Sequence, residues 1–128
     1  MKRAAFILVV FALTLMNATA KRAAPADVAP VTNGGITYTA PHDAMGCVIA
    51  TDAKTGTKLW EKKIYLIKYD SELERDVQDC FISKLEIKDG NLRVTNERGG
   101  EFELDPKTQE ITVHTGEAVI DRTAPKTK

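Results

Sequence analysis

Between Pro41 and Cys47 the chain gathers an imidazole, a carboxylate, a thioether and a thiol: His42, Asp43, Met45 and Cys47. Soft ions such as copper favour ligands of these kinds, so any metal chemistry would sit here, with His42 and Met45 as the candidate ligands. A polar loop between two strands is the competing reading of the same residues. The only other histidine is His114, and two histidines cannot build a three-His zinc site. A second candidate is the acidic run Asp70, Glu72, Glu74, Asp76 and Asp79, whose oxygens resemble those of Ca²⁺-binding loops. It lacks the glycine and alternating ligand order of an EF-hand, and Lys68 and Arg75 offset part of its charge. A solvated acidic loop is the simpler account. No Ser-His-Asp motif, G-x-S-x-G elbow, phosphate loop or dinucleotide fingerprint is present. No catalytic residue and no cofactor is therefore assigned.

The start of the chain bears on the two cysteines, Cys47 and Cys80. Lys2 and Arg3, the apolar run Ala4 to Leu15 and the small-residue end Ala18-Thr19-Ala20 read as a secretory signal peptide over residues 1–20. This places the protein in the periplasm or outside the cell, with no membrane span after cleavage. In such compartments an even cysteine count favours a bridge, so a Cys47–Cys80 disulfide is expected, with two buried free thiols as the alternative. Closing a loop of this length would stabilise the fold by roughly 3–4 kcal/mol on the chain-entropy account. Eighteen basic residues balance eighteen acidic ones; without Lys2 and Arg3 the balance is sixteen against eighteen, a net charge of −2. A surface so near neutrality, with no basic cluster, argues against nucleic acid as a partner.

The elements that must position these residues are mostly strands. Residues 21–35, with Pro25, Pro30 and Gly34-Gly35, read as a flexible leader, and residues 121–128 as a disordered tail. A single β domain over 36–120 remains. Ile36 to Thr39 and Cys47 to Ala53 carry β-branched residues, and Gly56 supplies a turn that needs positive φ. Lys58 to Tyr69 is apolar on both faces, as in a strand covered on two sides or bent midway. Ser71-x-x-Glu74 matches a capping box and permits at most one short helix near 71–78. From Asp79 the strand pattern returns: Phe81, Leu85 and Ile87 share one face, while Cys80 and Ile82 point the other way. Asp89-Gly90 is a strong two-residue hairpin signal, and Gly99-Gly100 and Asp105-Pro106 make further turns. The expected fold is all-β: about seven short antiparallel strands in a small barrel, sandwich or blade-like meander.

Within this pattern, Gly46-Cys-Val-Ile-Ala-Thr-Asp-Ala-Lys-Thr-Gly-Thr-Lys-Leu-Trp60 resembles the pyrroloquinoline-quinone-type β-propeller repeat, G-x-V-x-A-x-D-x-x-T-G-x-x-x-W. A fainter echo runs from Gly100 to Glu110, with Asp105 and Thr108 kept and Gln109 where the family has glycine. The motif's residues act structurally: Asp52 bonds its own turn, Gly56 takes the corner and Trp60 packs in the next strand. Nothing in them requires a cofactor. A propeller needs four or more blades, and this chain has length for about two. The chain is also similar to small exported bacterial proteins that join one such repeat to a D-V-Q-x-x-F-I stretch, here Asp76 to Ile82, and a later N-E-x-G stretch, here Asn96 to Gly99. That resemblance implies no activity.

These observations favour a non-catalytic binding or interaction module of the periplasm or cell envelope, with another protein or peptide, or copies of itself, as partner. Sheet edges suit docking by strand addition. Tyr38, Tyr65 and Tyr69 are candidates for a ligand or partner ledge, against the alternative that they pack the core. A second possibility is a homo-oligomeric, propeller-like assembly with Trp60 between subunits, which predicts a large exposed apolar patch. A small metal carrier or enzyme using His42 is the third.

Overall fold

The computed structural model describes residues 25–123, so the expected signal peptide, the first part of the expected leader and the last part of the expected tail lie outside the described residues. Ten short strands follow in order: β1 (Val31–Asn33), β2 (Ile36–Thr39), β3 (Cys47–Asp52), β4 (Lys58–Lys63), β5 (Leu66–Lys68), β6 (Ile82–Lys88), β7 (Asn91–Asn96), β8 (Glu101–Leu104), β9 (Ile111–Thr115) and β10 (Val119–Asp121). They form two four-stranded antiparallel meanders, β1-β2-β3-β4 and β6-β7-β8-β9, and a parallel ribbon of β5 and β10. The all-β expectation holds, with a blade-like meander appearing twice and no closed barrel.

The hairpin turns are dictated locally. Asn33 and Ile36 flank Gly34-Gly35, and Lys88 and Asn91 flank Asp89-Gly90, with positive φ at both central residues of each turn. That backbone matches the twist of the strands it joins. Along the strands, alternation selects an inner face. Val48 and Ala50 on β3, Leu92 and Val94 on β7, and Phe102 and Leu104 on β8 are all fully buried. One apolar core spans both sheets and takes in Tyr38, Tyr65 and Cys80.

The two sheets present opposite faces to that core. Matched turn for turn, Gly34-Gly35 corresponds to Asp89-Gly90 and Asp52 to Asp105, which sets Tyr38 against Arg93 and Thr37 against Leu92. Tyr38 is buried while Arg93 lies on the outer face; Leu92 is buried while Thr37 lies on the outer face. The front of one sheet therefore packs on the back of the next, as stacked blades do.

Several expectations need correction. β1 lies inside the stretch read as a leader; only three residues long, it is defined by pairing with β2. β10 likewise reaches residue 121, into the expected tail. The long run from Lys58 breaks at Ile64-Tyr65 into β4 and β5. Residues 71–78 form a chain of turns, and the one helical turn described is a 3₁₀ turn at His42–Ala44. Ile82 does share the inner side with Leu85, because a bulge between Ile82 and Lys84 resets the alternation.

Cys47 and Cys80 are free thiols, so the expected bridge is not formed. Val48 faces the core, which turns its neighbour Cys47 toward the other side of the sheet, whereas Cys80 is fully buried in the core. Burial raises both thiol pKa values above the ordinary range.

Candidate functional site

His42 opens the 3₁₀ turn, and its ring lies 4.9 Å from that of Phe81, tilted by 55°. Its Nδ1 is 3.7 Å from Asp27 Oδ1, and its buried Nε2 has no hydrogen-bond partner among the described residues. Met45 ends the turn half-buried. No group of three or more His, Cys, Asp or Glu residues able to hold a metal is assembled among the described residues. His114 lies on β9, 3.7 Å from Glu103.

The acidic run is spent on its own loop. Asp70 Oδ1 accepts the N–H of Glu72 at 2.9 Å, and Asp79 Oδ1 accepts the Tyr69 hydroxyl at 2.6 Å. Arg75 lies over the Tyr69 ring at 4.2 Å. Gln78, the glutamine of the D-V-Q stretch, organises this loop from its centre. Its Oε1 accepts the N–H of Asp70 at 2.6 Å, and its Nε2 donates to the carbonyls of Asp70, Leu73 and Glu74 at 3.0–3.2 Å. A buried amide so placed satisfies backbone groups that the absent helix would have paired.

Of the two readings of the tyrosines, Tyr38 and Tyr65 take the core one. Tyr38 and Tyr65 are core residues at 1% and 3% exposure. Tyr38 packs on Trp60 with ring centroids 6.0 Å apart, and Tyr65 stacks on Phe102 at 5.5 Å. The Tyr65 hydroxyl donates to the Cys80 carbonyl, and burial drives its pKa far above the usual phenol range. Its ring and carbonyl press on Gly46, where a Cβ would come within 2.9 Å of the Tyr65 oxygen. The first glycine of the repeat is thus required by close approach as well as by its φ of +76°.

Asp52 and Gly56 do what the repeat requires. Asp52 Oδ1 accepts the N–H groups of Lys54 and Thr55 at 2.8 and 3.0 Å, while Gly56 N–H donates to the Asp52 carbonyl. These backbone donors, Thr55 first, hold the Asp52 carboxyl below its ordinary pKa. The faint echo is the same turn: Asp105 Oδ1 accepts from Lys107 and Thr108 at 2.8 and 3.3 Å, and Gln109 N–H donates to the Asp105 carbonyl. Gln109 takes φ of +61° where Gly56 has +74°.

Two features remain as places of contact. The first is the pair of outer edges, β4 and β9. Lys58, Glu61, Lys62 and Lys63 stud β4, the usual protection of an edge against pairing. β9 is Ile-Thr-Val-His-Thr: it carries no lysine, carboxylate or proline, its last four residues are exposed, and Val113 is 41% exposed. The second is a cavity of about 470 Å³ between the sheets at the end where the hairpin turns lie.

No protein-family model matches this chain, and no curated protein sequence matches it. Among solved structures it is similar to the β-propeller protein BamB from Moraxella catarrhalis, with a TM-score of 0.56 at 19% identity. The fold is propeller-like. The similarity covers 76% of this chain and 29% of BamB, so the chain spans less than a third of that protein's length. Two blades out of a longer ring fit the stacking of opposite faces seen here.

Proposed function

We propose that the protein is an exported, non-catalytic interaction module that takes an extended segment of a partner protein onto β9. The contrast between the two edges carries this reading: equivalent strands of two related sheets, one charged and one left uncharged. Strand addition would extend the second sheet through backbone hydrogen bonds, with side chains giving specificity at alternate positions. The favoured segment is uncharged and places an apolar side chain beside Val113. The signal-peptide pattern supports a periplasmic or extracellular site, and the two Asp-centred turns support descent from a quinoprotein-type propeller repeat.

Self-assembly into a symmetric ring is the weaker reading. The outer face of the first sheet carries Thr32, Thr37, Thr39 and Thr51, and that of the second carries Glu86, Arg93 and Glu103. Blade-on-blade contact would bury Arg93, 3.6 Å from Glu103, with its partner at a desolvation cost.

Phage-displayed peptides selected on the purified protein provide the test. Binders should be uncharged and β-branched, and Val113→Lys should weaken them by more than tenfold while leaving the circular dichroism spectrum unchanged. Binders indifferent to Val113→Lys would overturn the assignment to β9.

A further inference from the structure

β9 pairs with β8 through Ile111, Thr112, Val113 and Thr115, but the register slips between Glu101 and Phe102 and leaves His114 without a register partner on β8. A bulge of this kind re-aims the side chain of the extra residue. Ile111 and Val113 lie across from Leu104 and Phe102 on the inner side of the sheet, and Thr112 lies across from Glu103 on the outer side. His114 also turns outward: its Nε2 is 3.7 Å from Glu103 Oε2, and its side chain is 38% exposed.

Arg93 Nη2 lies 3.6 Å from Glu103 Oε1, so the two oxygens of Glu103 are divided between β7 and β9. A carboxylate beside Nε2 favours the neutral tautomer that carries its proton there, which leaves Nδ1 as a bare acceptor. The other charged groups along this edge are Glu101, across from Thr115, and Glu110 and Glu117, which bracket β9 in sequence. All three are carboxylates. A further carboxylate brought by an added strand therefore meets like charge while the imidazole is neutral.

In strand addition the partner's side chains alternate as those of β9 do. A residue beside Val113 points inward, and its neighbour in the segment points outward, toward His114. Imidazole is the side chain whose charge ordinarily changes between about pH 5 and 8. Neutral, it accepts a hydrogen bond from a hydroxyl or amide; protonated, both nitrogens donate and the favoured neighbour is a carboxylate. We propose that His114 selects the partner's outward side chain: a hydroxyl or amide group at neutral pH, and a carboxylate once His114 is protonated. The selection rests on β9 being the docking strand and adds to it a pH-dependent choice of partner.

Peptides selected on the purified protein, then resynthesised with serine or glutamate beside their apolar anchor, provide the test. Binding is followed by fluorescence anisotropy at about pH 7.5 and about pH 5.5. A glutamate side chain stays mostly ionised at both. The serine peptide should bind more tightly at the higher pH, and the ratio of glutamate to serine affinity should rise about threefold at the lower. His114→Gln, neutral at both, should abolish that rise without changing the circular dichroism spectrum, and Val113→Lys should weaken both peptides throughout. Peptides indifferent to Val113→Lys would overturn the docking strand, and the selection by His114 with it. Peptides that need Val113 but keep one ratio at both pH values, or whose ratio shifts equally in His114→Gln, would overturn the selection alone and leave the docking strand standing.

Discussion

Tyr38 in the first sheet and Arg93 in the second hold the same place in their repeats, as do Thr37 and Leu92. Each pair has one member in the core and one on an outer face, and the apolar member changes sheet between the pairs. Two copies of one blade design thus turn opposite sides to a shared core. The first sheet buries Tyr38, Val48 and Ala50 on one side and sets threonines with Ile49 on the other; the second reverses this and finishes its outer side with ions. Thr32 and Thr37 hydroxyls meet at 2.9 Å on the first outer face, and Lys84 and Glu86 at 3.4 Å on the second sheet. Repeat architectures need polar outer faces where the stacking stops, and both outer faces described here carry hydroxyl or charged side chains. The lesson is that two blade-like sheets share one core by differing in which face is apolar, while their turns stay alike.

The largest effect should come from deleting bulk on the inner side alone. Phe102, fully buried and stacked on Tyr65, corresponds to Ile49 on the outer side of the first sheet. Phe102→Ala should destabilise the fold by about 3–5 kcal/mol in urea unfolding. Ile49→Ala, half-buried, should cost clearly less; equal losses would mean that the outer face is covered in solution.

Rebuilding an outer face should break the asymmetry without unfolding the protein. Thr37→Leu with Thr51→Leu gives the first sheet the residues found at Leu92 and Leu104. The added apolar patch should drive self-association, visible as a rise in mass by light scattering. A doubly substituted protein that stays at the wild-type mass would show that the threonine face has no role in keeping the blade terminal.

The smallest and sharpest contrast lies in the two turns. Gly56→Ala should cost about 1 kcal/mol, because it forces a side chain into the left-handed region. Gln109→Gly, at the equivalent corner, should stabilise by a similar or slightly smaller amount by relieving that penalty. Opposite signs in thermal unfolding are expected; the same sign in both would show that the turns are not equivalent.

Much of this was legible in the residues. Asp89-Gly90, Gly56 and Asp105-Pro106 mark turns through their own backbone preferences, and the strands between them alternate. What escaped depends on partners distant in sequence. Val31-Thr32-Asn33 is too short to carry a pattern and becomes a strand only against Ile36-Thr37-Tyr38. The bulge after Ile82 inverted the expected facing, since alternation cannot register an extra residue. The tyrosines left two readings open for a related reason: a ring that is half polar fits a ledge or a core, and only the packing of the second sheet selects the core for Tyr38 and Tyr65. Gln78 carries no periodic signature at all, and its importance lies in the carbonyls that gather around it. The hairpin-end cavity is assembled from turns that neighbour one another only in space.

The parallel ribbon has a consequence for the order of events as the chain is made. β5 waits for β10, 53 residues later, and the Leu66 N–H donates to the Ala118 carbonyl. The first sheet can pair its own hydrogen bonds early, but Tyr38, Val48 and Ala50 stay uncovered until the second sheet emerges. Contacts of such separation form late, after their loop entropy has been overcome. A copy in which β10 has not yet emerged is therefore held short of its final structure, with β5 still without its strand partner.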